Sequence, residues 1–151
     1  MLEEFMVMAL EEAQKAYKQG EVPVGAVIVK NGKIISKAYN ITKQTKNAIA
    51  HAEILAIDEA CKKLKNERLV DTELYVTLEP CAMCAGAIVQ ARIPRIIIGT
   101  RDFKSGAANT VLNVLENKNL NHKAELVFGM LEEECSEILK TFFKELRDER
   151  K

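Results

Sequence analysis

Cys81 and Cys84 stand three residues apart in PCAMC, directly behind Pro80, in a chain of 151 residues that has four cysteines and two histidines. A proline suits the first turn of a helix, where its missing N–H costs nothing, so both thiols are expected to open a helix. There the free backbone amides and the positive end of the helix dipole stabilise thiolates, and the i, i+3 spacing turns both sulfurs to one side, as a tetrahedral metal requires. A redox C-x-x-C pair would follow the first strand of a thioredoxin-type unit, whereas this one follows the third strand. His51, in AHAEIL, opens the preceding helix and offers a third ligand. Glu53, two residues on, does not share a helix face with His51 and is therefore not a fourth ligand. Three protein ligands with one open position describe a catalytic zinc site, while a structural zinc would be closed by a fourth Cys or His. Cys61 and Cys135 lie on apolar helix faces and read as small core residues.

Such a donor set supports hydrolysis. Zinc lowers the pKa of bound water to about 7, providing hydroxide at neutral pH. Glu53 can accept a proton from that water, deliver it to a ring nitrogen while hydroxide adds to the adjacent carbon, and pass another to a leaving amine. The bland alternative for Glu53 is a first-turn glutamate that only favours the helix dipole.

The elements that must position these groups follow from periodicity. Leu2, Phe5, Met6, Ala9, Leu10, Ala13 and Tyr17 recur at helical spacing, and Gly20 supplies a stop. VGAVIVK and KIISKAY are β-branched runs joined by Asn31-Gly32, a two-residue hairpin signal. HAEILAIDEACKKL then reads as helix, ELYVTL as strand, PCAMCAGAIVQA as helix, RIIIGT as strand and AELVF as a last strand, with helix and strand alternating. Leu131, Cys135, Ile138, Leu139, Phe142, Phe143 and Leu146 mark the core face of a closing helix. The expected architecture is α/β: a mixed five-stranded sheet with helices on both faces, in one domain spanning residues 1–151.

Lys plus Arg equals Asp plus Glu at 22 each, so no overall field draws the chain to nucleic acid, and RNA binding would need a local patch. One candidate is the stripe Lys140, Lys144, Arg147 and Lys151 on the closing helix, which could track phosphates or be an ordinary solvated face. Phe143 could stack on a base, though its spacing favours the core. The N-terminal segment is broken by carboxylates too often for a signal peptide, and no run approaches the ~20 apolar residues of a membrane span, so a cytoplasmic setting is expected.

H-x-E followed by P-C-x-x-C is the known signature of zinc deaminases, and the proton chemistry outlined above is the one established for that class. With HAE at 51–53 and PCAMC at 80–84, the chain resembles the cytidine deaminase superfamily and, within it, the bacterial tRNA-specific adenosine deaminases. EVPVGAV at 21–27, Asn40, LYVTLEPCAMCAGAIVQARI at 74–93, GTRDFKSGAA at 99–108 and NH at 121–122 extend the likeness over nearly the whole length. The resemblance implies a three-layer α/β/α sandwich, one zinc per subunit on His51, Cys81 and Cys84, and Glu53 as the proton shuttle. It implies hydrolysis of the wobble adenosine in a tRNA anticodon loop to inosine, attack at purine C6, loss of ammonia, and a homodimer with no membrane partner.

Asn40 would hydrogen-bond the extruded base, while its position alone reads equally well as the end of a strand. Asp102, Lys104 and Ser105, with Asn121 and His122, would hold neighbouring nucleotides. From composition alone RDFKSG is a polar turn, and His122 is as well read as a solvated loop residue. KNAIAHAE departs from the family's usual lead into the metal histidine, and Phe103 is bulky for the substrate loop. An enzymatic rival is a deaminase of a free base or nucleotide such as guanine or cytosine, which needs no phosphate contacts. A rival of another class is a zinc-stabilised RNA-binding module in which Glu53 is incidental.

Overall fold

Asn31 and Gly32 both adopt positive φ, 52° and 75°, closing the two-residue turn that their sequence predicts. The turn joins strands β1 (Gly25–Lys30) and β2 (Lys33–Tyr39) in a computed structural model that describes residues 2–150. Helix α1 (Glu3–Lys18) precedes them. A single helical turn, α2 (Thr42–Thr45), then leads to helix α3 (Ala52–Leu64), strand β3 (Thr72–Leu78), helix α4 (Ala82–Ala91), strand β4 (Arg95–Thr100), strand β5 (Glu125–Phe128) and helix α5 (Glu132–Glu149).

The sheet order is β2-β1-β3-β4-β5. β1 pairs antiparallel with both β2 and β3, and β3, β4 and β5 run parallel, so the sheet is mixed as expected. Its two faces divide by side-chain parity. Val27, Val29, Tyr75 and Ile97 pack against Phe5, Met6 and Ala9 of α1 and Cys135 of α5. Ala26, Ile28, Leu74, Val76, Ile96 and Ile98 meet the alanine face of α3 (Ala52, Ala56, Ala60) and Ala85 and Ile88 of α4. The small residues on α3 and α4 let these helices sit close to the sheet, which brings their N-termini together past the carboxyl ends of β3 and β4, where α/β sheets bind ligands.

Two expectations are corrected. No helix connects β4 to β5: residues 101–124 cross back as an irregular segment, held by side chain to backbone bonds such as Glu116 N–H to Asn113 Oδ1 and Asn119 N–H to Asn117 Oδ1. Asn and Asp favour such local bonds over helix ladders. Phe143 is 41% exposed and lies outside the core, because its neighbour Phe142 occupies the buried face of α5 and adjacent residues on a helix point about 100° apart.

At Gly99 in β4, Cys135 of α5 presses directly on the sheet. A Cβ there would lie 2.4 Å from Cys135 Sγ and 2.7 Å from the Thr77 carbonyl oxygen. Gly99→Ala is expected to lower stability by about 1–3 kcal/mol through overpacking, read from urea melts. A midpoint equal to that of the unmodified chain would show that α5 can retreat from the sheet at no cost.

Candidate active site

His51 is the residue at the N-terminal boundary of α3 and Cys81 holds the same place on α4, while Cys84 lies one turn into α4. Both boundary residues are extended, with φ,ψ of −78°,152° and −74°,177°, and neither side chain caps its own helix, which leaves the imidazole and the thiol free for each other. Cys81 Sγ lies 3.7 Å and Cys84 Sγ 3.5 Å from His51 Nδ1, and all three donor atoms fall within 4.8 Å of one another. With Zn–N of about 2.0–2.1 Å and Zn–S of about 2.3 Å, a tetrahedral ion has an N···S edge of about 3.6 Å. The donors therefore fit such an ion as they stand, and this His-Cys-Cys group can hold a metal.

The electrostatics suit a cation. Hydrogen bonds from the Cys84 thiol first, then from His51, pull the Cys81 thiol down to about 4, so it is a thiolate at neutral pH. Cys84 is pushed up by donating to that thiolate and by its burial. The bond to Cys81 raises His51 against the opposing effect of burial. An incoming cation must displace the remaining proton from Cys84, as thiolate coordination always requires. Glu53, only 3% exposed, sits in the first turn of α3 beside this group. Burial is the largest influence on its carboxyl and pushes it up to about 7, while the positive His51 and the Cys84 thiol pull the other way.

Asn40, past the end of β2, is buried and already bonded. Its Oδ1 accepts the Ala52 N–H at 2.7 Å and its Nδ2 donates to the Val22 carbonyl oxygen at 3.2 Å. It thus fastens the residue next to His51, and one N–H and one lone pair of its carboxamide remain for other partners. The Asp102 carboxylate accepts from the Lys104 N–H at 3.0 Å, the Ser105 N–H at 3.2 Å and the Ser105 hydroxyl at 2.9 Å, shaping an exposed turn directly after β4. These residues share the metal end of the sheet.

Asn121 and His122 do not. Residue 125 pairs with Arg95 at the start of β4, and the His122 ring is bonded through Nε2 to the Ile93 carbonyl oxygen at 2.7 Å. They stand at the opposite end of β4 from Thr100, roughly 15–20 Å along the strand.

Sequence reasoning missed a groove of about 810 Å³ that opens at Leu78 and Thr100 and runs between the turn after β4 and α5. Five cationic side chains line it, Arg101, Lys104, Lys140, Arg147 and Arg150, against the one carboxylate of Asp102, with the aromatic rings of Phe103 and Phe143 among them. Lys140 and Arg147 belong to the stripe noted above; Lys144 is exposed, and Lys151 lies outside the described residues. Arg150, three residues after Arg147, carried a usable signal in its helical spacing; Arg101 carried none.

A five-stranded mixed sheet with a His-Cys-Cys group and a buried glutamate at the mouth of two helices defines the class: an enzyme of the deaminase fold. The model of the MafB19-like deaminase family matches residues 2–147. The tRNA-specific adenosine deaminase of Bacillus subtilis (strain 168) is 51% identical over 147 residues, covering 97% of this chain and 91% of that protein. That of Aquifex aeolicus (strain VF5) is 50% identical over 146 residues, covering 97% and 96%. A solved structure from work on A-to-I editing by tRNA:A34 deaminases at the wobble position superposes with a TM-score of 0.87 at 43% identity, covering 90% of this chain and 99% of that one. The chain belongs to the tRNA-specific adenosine deaminase family.

Proposed function

We propose that this chain, as a single domain over residues 1–151, is a zinc-dependent hydrolase that converts the wobble adenosine of a tRNA anticodon loop to inosine and releases ammonia. The observation that carries the reading is the meeting of His51, Cys81 and Cys84 with the buried Glu53, and the basic, aromatic-lined groove that opens at Leu78 and Thr100, the same end of the sheet, supports an RNA substrate. His51 Nδ1 and the two sulfurs would hold one zinc per subunit, whose Lewis acidity makes water a nucleophile at neutral pH. Glu53 takes a proton from the attacking water, gives it to the ring nitrogen beside purine C6, and supplies a proton to the departing amine. Adenosine and water thus balance inosine and ammonia. The free N–H and lone pair of Asn40 can meet the edge of an extruded purine. Asp102, Lys104 and Ser105 border the groove, where flanking nucleotides can stack on Phe103 and Phe143 while lysines and arginines meet phosphates.

Asn121 and His122 are left out of this reading by their place at the far end of β4. Family resemblance supports two further proposals, a homodimer and a cytoplasmic setting. The described residues contain no helix long and apolar enough to cross a membrane.

The groove favours RNA over a free base, since a lone base has no phosphates to occupy it. Inosine formation is expected from an anticodon stem-loop and not from free adenosine, with no ammonia released from guanine. kcat/KM on the stem-loop should fall on the order of tenfold between 50 and 200 mM salt as phosphate contacts release counterions. Turnover of guanine or nucleoside alone, indifferent to salt, would establish the free-base reading instead.

A further inference from the structure

Glu79 stands between the end of β3 and Cys81, only 2% exposed, and the chemistry described so far makes no use of it. Among the described residues no lysine, arginine or histidine pairs with it. Its carboxylate is satisfied from one source, the loop that follows β4. Oε1 accepts the Asp102 N–H at 3.1 Å and the Thr110 hydroxyl, and Oε2 accepts the Ala108 N–H at 2.9 Å. The main chain adds two stitches on either side: the Glu79 N–H donates to the Thr100 carbonyl oxygen at 2.9 Å, and the Ala107 N–H donates to the Pro80 carbonyl oxygen at 2.8 Å.

The fit is close on the loop side too. A Cβ at Gly106 would lie 2.4 Å from Glu79 Cδ and 2.5 Å from the Asp102 carbonyl oxygen, so the loop can approach the carboxyl only with glycine there. Thr110 in turn accepts from Arg101 Nη1 at 3.0 Å, and the Arg101 guanidinium lies 3.9 Å over the Phe128 ring. A single anchored path therefore runs from the metal-donor turn at Cys81 to the segment bearing Asp102, Lys104 and Ser105.

Every hydrogen bond to this buried carboxyl group comes from the one loop, so the loop cannot drift without leaving buried polar atoms unsatisfied. We propose that Glu79 is a positioning residue: it locks the loop of Asp102, Lys104 and Ser105 at a set distance from the metal donors, and so determines how firmly nucleotides beside the reacting base are held. This rests on the RNA reading above. Glutamine is the discriminating substitute, because it keeps the shape but turns an N–H₂ toward an N–H donor.

The test compares Glu79→Gln and Thr110→Val with the unmodified zinc-loaded enzyme by amide hydrogen exchange, zinc content and stem-loop kinetics. In Glu79→Gln, exchange at Asp102 and Ala108 should quicken about tenfold, and KM for the stem-loop should rise about tenfold with kcat within about threefold. Zinc should stay at one per chain. Thr110→Val, which removes one hydroxyl, should raise KM about threefold. Unchanged exchange overturns the clamp; quickened exchange with unchanged KM overturns its role in holding substrate. A fall in kcat that tracks zinc loss shows support of the metal turn instead, and also overturns the proposal. If the unmodified enzyme turns over no stem-loop, the RNA reading fails and the exchange rates alone decide whether Glu79 fastens the loop.

Discussion

Glu53→Gln is expected to lower kcat about 10³-fold, within the range of about 10²–10⁴ that a positioned acid–base group supplies, with zinc content unchanged. Three features support a loss confined to chemistry. Glutamine has nearly the same volume, so the buried site in the first turn of α3 keeps its packing. The donors that would hold the metal, His51, Cys81 and Cys84, all remain, and glutamine keeps a side-chain oxygen for the Cys84 thiol that bonds to Glu53. What disappears is the ability to take a proton in one step and return it in the next, which an amide cannot do. Burial raises the Glu53 carboxyl to about 7, near the pH at which a shuttle works best, while a bound dication would draw it back down. The proposed role would therefore depend on opposing influences held in balance at one buried carboxyl. The same variant separates the enzyme from a zinc-stabilised binding module, in which it should change nothing. Equal kcat for Glu53→Gln and the unmodified enzyme would end the assignment of Glu53 as the proton shuttle, and measured zinc content would show whether an altered kcat came from the metal instead.

The parts of the site legible in the sequence are those whose chemistry is local. H-x-E and P-C-x-x-C each place their groups at a helix opening, so spacing alone shows which side chains are released from the helix and turned toward its end. That the two openings converge follows from strands that read plainly, KIISKAY and ELYVTL: both run antiparallel to β1, so the one that precedes α3 and the one that precedes α4 end on the same side of the sheet. Glu79 was not legible, because its partners lie 23 to 31 residues away in a segment with no periodicity. Asn40 was half legible: its chemistry suggested a base contact, but its bond to Ala52 depends on how α3 docks, which no local pattern records. Phe143 shows how an apolar periodicity overreaches. Two adjacent phenylalanines on a helix cannot share one face, and the groove took the one the core did not.

Cys84→Ser is expected to remove zinc and take activity to background, a loss of about 10⁴-fold or more. A serine hydroxyl is a poor zinc ligand, and two remaining donors fall short of the three that catalytic zinc sites use. The effect should reach stability as well, because an ion on these donors would tie α3 to α4. An ion bound at about a thousand times its dissociation constant adds about 4 kcal/mol to the folded state. In a chain of this length that corresponds to roughly 10 °C in Tm. Chelation should therefore lower the Tm of the unmodified protein by about that much and leave the Tm of Cys84→Ser where it was. The thiol itself supplies no comparable stability, since its hydrogen bond to the Cys81 thiolate, and then its burial, hold Cys84 protonated until a cation arrives. Full zinc occupancy in Cys84→Ser, measured by metal analysis, would mean that the ion is held elsewhere and that the His51, Cys81 and Cys84 cluster is not its site. Loss of zinc with activity retained would mean that the reaction does not use the ion at all.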